Sequence, residues 1–343
     1  MLRVTGWLCL SASLSLILPA IMAAPGGRSP STAGPKGLLL VANKGEHTLG
    51  IVDPEAGRQL ATVPESGITG HEVAASPDGR TAWVPIYGNS GVGSPGSDGQ
   101  TLDVFDIASR KRLATIDFGR GQRPHCPVFG PDGMLYVTTE ITNSVTMIDP
   151  RTQKIVGTIP TGQGESHMLA VTRDGKKGYT ANVHAGTVSV IDLPARKVVT
   201  VIPVCRETQR IALSADDSMV FTADQDEPRI AVIDTATNKL KAWVSLPGIA
   251  YGTKATSDGR WLIAALIRIN KIGVIDLKTL KLAHAISVPK APQEVLVRPD
   301  NRVAYVSCDA SGKIAALNLS TWKVDKFIDV GKGADGLAWA KLD

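Results

Sequence analysis

The sequence predicts an all-β fold: a seven-bladed β-propeller of four-stranded antiparallel blades, closed by the C-terminal strand joining the N-terminal blade. Three observations predict it. A hairpin signal recurs seven times, at Asp53, Asp106, Asp149, Asp192, Asp234, Asp276 and Asn318, mostly 42 or 43 residues apart. Five residues after each stands a base, Arg58, Lys111, Lys154, Lys197, Lys239, Lys281 and Lys323. Between these marks each unit reads as short apolar strands with turns and no helical period, and such units close by radial repetition, which hides sheet edges.

The elements follow in order. Asp or Asn ending a strand accepts hydrogen bonds from amides two or three residues on, and the base returns on the next strand, so the pair is a hairpin. A feature repeated in every unit is architecture and not an acid/base pair. A second turn follows the last strand of a unit: Pro77-Asp78-Gly79, Pro131-Asp132-Gly133, Arg173-Asp174-Gly175, Ala215-Asp216-Asp217, Ser257-Asp258-Gly259 and Pro299-Asp300-Asn301. Asp followed by Gly or Asn suits a positive φ. The chain opens with three strands of a unit, Leu38–Ala42, Leu49–Val52 and Leu60–Val63, and ends with the fourth of another, near Gly336 to Lys341. Joined, they make one composite blade.

Composition fits a soluble globular chain: 343 residues, 43% apolar, 20% charged, with 34 Gly and 21 Pro. The formal charge of +5 is spread without a Lys/Arg block, which argues against nucleic acid as a partner. Arg3, the apolar stretch Trp7 to Met22 and the small residues Ala23 and Ala24 read as a signal peptide over residues 1–24. Residues 25–36, rich in Gly, Pro and Ser, read as a flexible leader, and residues 37–343 as the propeller. A periplasmic or secreted location follows, with no transmembrane span left after cleavage. Cys126, Cys205 and Cys308 remain in the mature chain and allow one bridge at most. Stability must come from a large core.

The units resemble the YVTN-type β-propeller repeat of surface-layer-like and periplasmic propeller proteins. Tyr136-Val137-Thr138-Thr139, Ser144-Val145-Thr146-Met147-Ile148-Asp149, Lys154-Ile155-Val156-Gly157-Thr158-Ile159 and the loop residue Gly162 carry the resemblance. It covers about residues 37–343 and implies the fold, and binding scaffolds or carriers of metal and haem sites as functions. Cys205 in place of the loop Gly, and the segment Leu246 to Ala250, depart from the pattern, and no C-x-x-C-H haem motif is present.

The hairpins and Asp-Gly turns share one face, the bottom, and the remaining loops share the top. Seven positions before each Asp of the second turn stand His71, His125, His167, Gln209, Tyr251 and Gln293, with Asp335 as the seventh equivalent. This ring marks the top of the innermost strands, at the mouth of the central channel, and is the candidate ligand-binding rim. His71, His125 and His167, with Cys126 beside them, form a candidate metal set for Cu or Zn. Glu72, Glu165, Glu294 and Asp335 are carboxylates able to orient imidazoles. His47, His184 and Cys205 fall on top-face loops. The same imidazoles can instead be structural, bonding loop carbonyls. Residues 88–100 lengthen one top-face loop; with Val92 as the sole apolar anchor they read as loose, and as a lid beside His71 and His125 if ordered. Trp83, Trp243, Trp261, Trp322 and Trp339 read as inter-blade packing.

The sequence holds no G-x-S-x-G elbow, no P-loop and no H-E-x-x-H. The expectation is therefore an exported, monomeric binding or scaffold protein, presenting its top face and channel mouth to a small-molecule ligand or protein partner. A metal-binding or redox-associated propeller is the alternative, and a lactonase- or lyase-type enzyme a second one.

Overall fold

The computed structural model describes residues 1–3 and 36–342, so the signal and leader readings lie outside the described residues. Seven four-stranded antiparallel sheets form a ring. Blade 1 runs from the inside outward as β28 (Ala334–Lys341), β1 (Gly37–Asn43), β2 (Thr48–Asp53) and β3 (Arg58–Pro64). Blade 2 is β4 (Ala74–Ala75), β5 (Thr81–Gly88), β6 (Asp98–Asp106) and β7 (Lys111–Asp117). Blade 3 is β8 (Pro124–Phe129), β9 (Leu135–Thr139), β10 (Ser144–Asp149) and β11 (Lys154–Pro160). Blade 4 is β12 (Ser166–Val171), β13 (Lys177–Asn182), β14 (Thr187–Asp192) and β15 (Lys197–Pro203). Blade 5 is β16 (Thr208–Leu213), β17 (Met219–Asp224), β18 (Arg229–Asp234) and β19 (Lys239–Ser245). Blade 6 is β20 (Ala250–Ala255), β21 (Trp261–Leu266), β22 (Lys271–Asp276) and β23 (Lys281–Ser287). Blade 7 is β24 (Pro292–Val297), β25 (Val303–Cys308), β26 (Lys313–Asn318) and β27 (Lys323–Asp329).

The expected closure is present. Leu39 faces Trp339 and Val41 faces Leu337 across β1 and β28, so the two ends of the propeller share one sheet. Both turn families behave as their residues dictate. Asp53 accepts from the Ala56 amide at 2.9 Å, Asp234 from Thr237 at 2.8 Å and Asn318 from Ser320 at 2.9 Å. Each hairpin Asp or Asn lies opposite its base, as in Asp53↔Arg58 and Asn318↔Lys323. In the second turns Gly79, Gly133, Gly175, Asp217, Gly259 and Asn301 all take positive φ, between 58° and 80°.

The core lies between blades. The middle strands are buried on both faces, as in β10 and β14, because each blade is covered on each side by a neighbour. Outer strands alternate exposed and half-buried residues. Aromatic side chains bridge the junctions: Trp83 meets Phe129, Trp261 meets Trp322, and Trp339 stacks on Tyr305.

One irregularity places the site. At the top of the innermost strands of blades 1 and 3–7 the ladder gains a residue. His125 and Cys126 lie between the paired Pro124 and Pro127, Tyr251 and Gly252 between Ala250 and Thr253, and Gln293 and Glu294 between Pro292 and Val295. A bulge of this kind interrupts strict alternation and re-aims side chains. Two consecutive residues in such a blade can therefore serve the channel.

Candidate functional site at the channel mouth

The rim residues come together at one level. His71 and His125 rings lie 5.8 Å apart, edge to face, and His125 stacks on His167 at 3.7 Å. Tyr87, at the end of β5, stands among all three, with ring distances of 4.6, 5.0 and 6.1 Å to His71, His125 and His167. Tyr251 underlies the Arg210 guanidinium at 4.6 Å, and Asp335 bonds Arg210 and Lys44 at 3.2 and 3.1 Å. Gln209 and Gln293 are buried, and their Oε1 atoms have no protein partner, as is true of His125 Nδ1.

The residue after each rim position forms a second ring: Glu72, Cys126, Met168, Arg210, Gly252, Glu294 and Gly336. Its centre is Arg210, only 2% exposed, which takes a positive φ of 61° within the β16 bulge. The guanidinium binds Glu72, reaches Glu294 at 2.9 Å and contacts Met168 Sδ at 3.7 Å. Glycine stands where neighbours press closest: a Cβ on Gly252 would sit 2.0 Å from the Gln293 carbonyl oxygen, and one on Gly336 would sit 2.6 Å from Glu72.

Glu72, Glu294 and Asp335 thus hold Arg210 and Lys44, and none of them is hydrogen-bonded to an imidazole. The carboxylate that orients an imidazole is Glu140, at 3.0 Å from His167 Nδ1. Glu140 also accepts from the Tyr87 hydroxyl at 2.7 Å and from Arg123 at 3.3 Å. Cys126 departs from the imidazole set. Its thiol contacts the Leu169 carbonyl at 3.7 Å within an apolar cluster, and burial pushes it up to about 12, so it stays protonated. Imidazole nitrogens direct their lone pairs in the ring plane, and the stacked faces of His125 and His167 do not converge theirs on one point. Among the described residues no group of three or more His, Cys, Asp or Glu is arranged to hold a metal ion.

Burial lowers His71 to about 4 against the pull of Asp335, and holds His125 well below the usual imidazole range, with His167 and His71 adding to the effect. Both rings are neutral at ordinary pH. Burial raises Glu72 and Glu294 despite Arg210, whereas Lys44 and Arg210 overcome burial at Asp335 and hold its carboxyl down. His167 and Tyr87 outweigh burial at Glu140 and keep it ionised.

The 88–100 segment corrects the sequence expectation of a loose loop. Arg123 anchors it by donating to Asp98 at 2.6 Å and to the Ser94 carbonyl at 2.8 Å, while the Gly93 amide points at Glu140 at 3.4 Å. The anchor is ionic where an apolar one was sought. Beneath the segment lies a cleft of about 480 Å³ lined by Gly93, Ser94, Arg123, Glu140, Asn143, Glu165 and His184, among others. Four other clefts, of about 420–540 Å³, each lie between the second turn of one blade and the hairpin of the next. Those follow from the repeat. The top cleft depends on residues peculiar to blades 2–4. His47 lies apart in the blade 1 loop, where its carbonyl accepts from the Glu65 amide at 3.0 Å, and Cys205 is a free thiol.

A sequence model of the family described as YNCE-like beta-propeller matches residues 88–218. No curated protein matches the chain. Among solved structures, Kuenenia stuttgartiensis hydrazine synthase is similar at 18% identity and a TM-score of 0.72, over 87% of this chain and 99% of that one. Dihydro-heme d1 dehydrogenase NirN, solved in complex with DHE, is similar at 16% identity and a TM-score of 0.64, over 92% of this chain and 77% of that one. At these identities the likeness is one of fold.

Proposed function

We propose that this chain, a seven-bladed YVTN-type β-propeller, is an exported binding protein that takes a small polar ligand in the cleft between blades 3 and 4, beside the channel mouth. The observation that carries the reading is the clamp at Arg123. A side chain only 7% exposed fastens an inserted segment over a cleft, and its partner Glu140 ties that cleft to Tyr87 and His167. Buried charge held in this way is a common mark of a recognition site. His184 lines the cleft without a bond to Arg123 or Glu140, and Asn143 lines it while its Oδ1 accepts from the Glu165 amide at 3.0 Å.

The test is a ligand screen on the full chain followed by variants on both faces. A ligand of this cleft loses at least tenfold in affinity in Asn143→Ala or His184→Ala and is unaffected by Arg260→Ala on the bottom face. Equal affinity in all three variants contradicts the reading. Export is tested by N-terminal sequencing of the protein from the cell envelope or medium, with a start near Ala24 or Pro25 expected and an intact Met1 contradicting it.

The neutral state of His71 and His125 supports a second reading, in which the imidazoles bind Cu or Zn, since neutral imidazole is the ligating form. It requires His125 and His167 to leave their stack. Elemental analysis of native protein decides: stoichiometric metal lost on triple His71, His125 and His167→Ala replacement supports it, and trace metal removes it.

A further inference from the structure

Resting on the cleft reading, we infer that the ligand of the top cleft is a small organic cation, an ammonium or guanidinium compound, and that Glu165 is its anchor.

The charges on the cleft walls decide the sign. Arg123 is fully engaged: Nε with Asp98, Nη1 with Glu140 and Nη2 with the Ser94 carbonyl. Its single positive charge faces two carboxylates and leaves nothing for an anionic ligand. Glu140 is engaged too, by Tyr87, His167, Arg123 and the Gly93 amide. Glu165, one blade on, occupies the slot equivalent to Arg123, two residues before the rim. Its carboxylate makes no ion pair among the described residues. It lies directly under the roof: a Cβ on Gly93 would stand 2.4 Å from Glu165 Oε1. Two carboxylates therefore converge beneath one glycine, and only one of them has been given a cation.

Burial, and then Glu140, raise the Glu165 carboxyl against the pull of His184 and its backbone amide, so a cation brought into the cleft favours the ionised form that burial and Glu140 oppose. Ile141, 45% exposed at the cleft wall, offers an apolar contact for a short alkyl chain. A cavity of about 480 Å³ accommodates a ligand of a few to some ten heavy atoms together with water. His184, exposed on the loop beside Glu165, offers a polar contact.

The experiment is calorimetric titration of the full chain with agmatine, n-butylamine, n-butanol and butyrate, in wild type and Glu165→Gln. Agmatine and butylamine are expected to bind, agmatine more tightly, with butanol and butyrate giving only heats of dilution. Glu165→Gln should weaken agmatine at least tenfold with the thermal midpoint unchanged. Glu165→Asp, which keeps the charge and shortens the reach, should recover part of the affinity. Binding of butyrate or butanol in preference to the amines overturns the cation assignment and leaves the cleft reading standing. Equal agmatine affinity in wild type and Glu165→Gln overturns the anchor. Silence of all four compounds overturns the cation assignment, and the wider ligand screen then judges the cleft separately.

Discussion

The two rims of the disc are built from the same seven repeats and use them in opposite ways. On the bottom, six blades present Asp and the seventh Asn in the same hairpin turn, bonded to its own backbone a few residues away. On the top, the rim slots hold His, Gln, Tyr and Asp, and the residues one further on are joined between blades: Arg210 of blade 5 meets Glu72 of blade 2 and Glu294 of blade 7. The bottom bonds are local, with links only between adjacent turns, as where Asp217 accepts from the Arg173 amide and Asn301 from the Ser257 amide, so the turns can repeat without loss. Bonds across the axis make each top residue specific to its blade. Repetition marks what every blade needs in order to fold, and departure from repetition marks what the whole ring does together.

This contrast can be broken at several places. The largest expected effect is at Arg210. Arg210→Met removes the cation from three buried carboxylates and should cost about 3–5 kcal/mol, seen as a large fall in thermal midpoint. The loss should shrink at acid pH, where those carboxylates protonate. Glu140→Gln comes next, at about 2 kcal/mol from charge-assisted bonds to Arg123 and His167, with faster proteolysis of the 88–100 segment as its local sign. At the bottom, Asp258→Ala removes acceptors for the Thr256 hydroxyl and the Arg260 amide and should cost about 1 kcal/mol, independently of changes at the top. A non-additive effect in an Asp258→Ala, Arg210→Met double variant would break the comparison.

The smallest effect is one of pH. His71 is held near 4, below its ordinary value of 6.5, so its neutral form is favoured by folding. The stability it contributes is complete above pH 6.5 and is lost as pH falls toward 4. Thermal midpoints of His71→Gln should therefore decline less than wild type between pH 7 and pH 4.5. Parallel decline in the two proteins would show that His71 does not titrate in this way.

The fold was legible because its determinants are local. The Asp-to-Lys interval and the Asp-Gly turns each fix a turn within a few residues, and counting them fixed the closure. The rim was legible because each of these residues stands seven before the Asp of its second turn, which brings His71, His125 and His167 to one place. The second ring was not, because strand residues ordinarily alternate and the bulge at the top of those innermost strands cannot be seen in a single strand's pattern. Counting one residue further would have found Arg210 beside Gln209. Glu140 and Lys44 were missed for a related reason. Both lie nine residues before a hairpin acid, as do Val183, Gln225, Ile267 and Asp309, and the charges in that slot vary from blade to blade. The order of the 88–100 segment was hidden because its anchor, Arg123, belongs to a different loop.

The most direct measurement is hydrogen exchange, followed by mass spectrometry, on the full chain with and without agmatine. The account predicts slower exchange confined to residues 88–100, 140–143 and 162–167, with the hairpins at Asp234, Asp276 and Asn318 unchanged. Protection spread evenly over both rims, or confined to the bottom hairpins, would contradict a ligand site built by the top of blades 2–4.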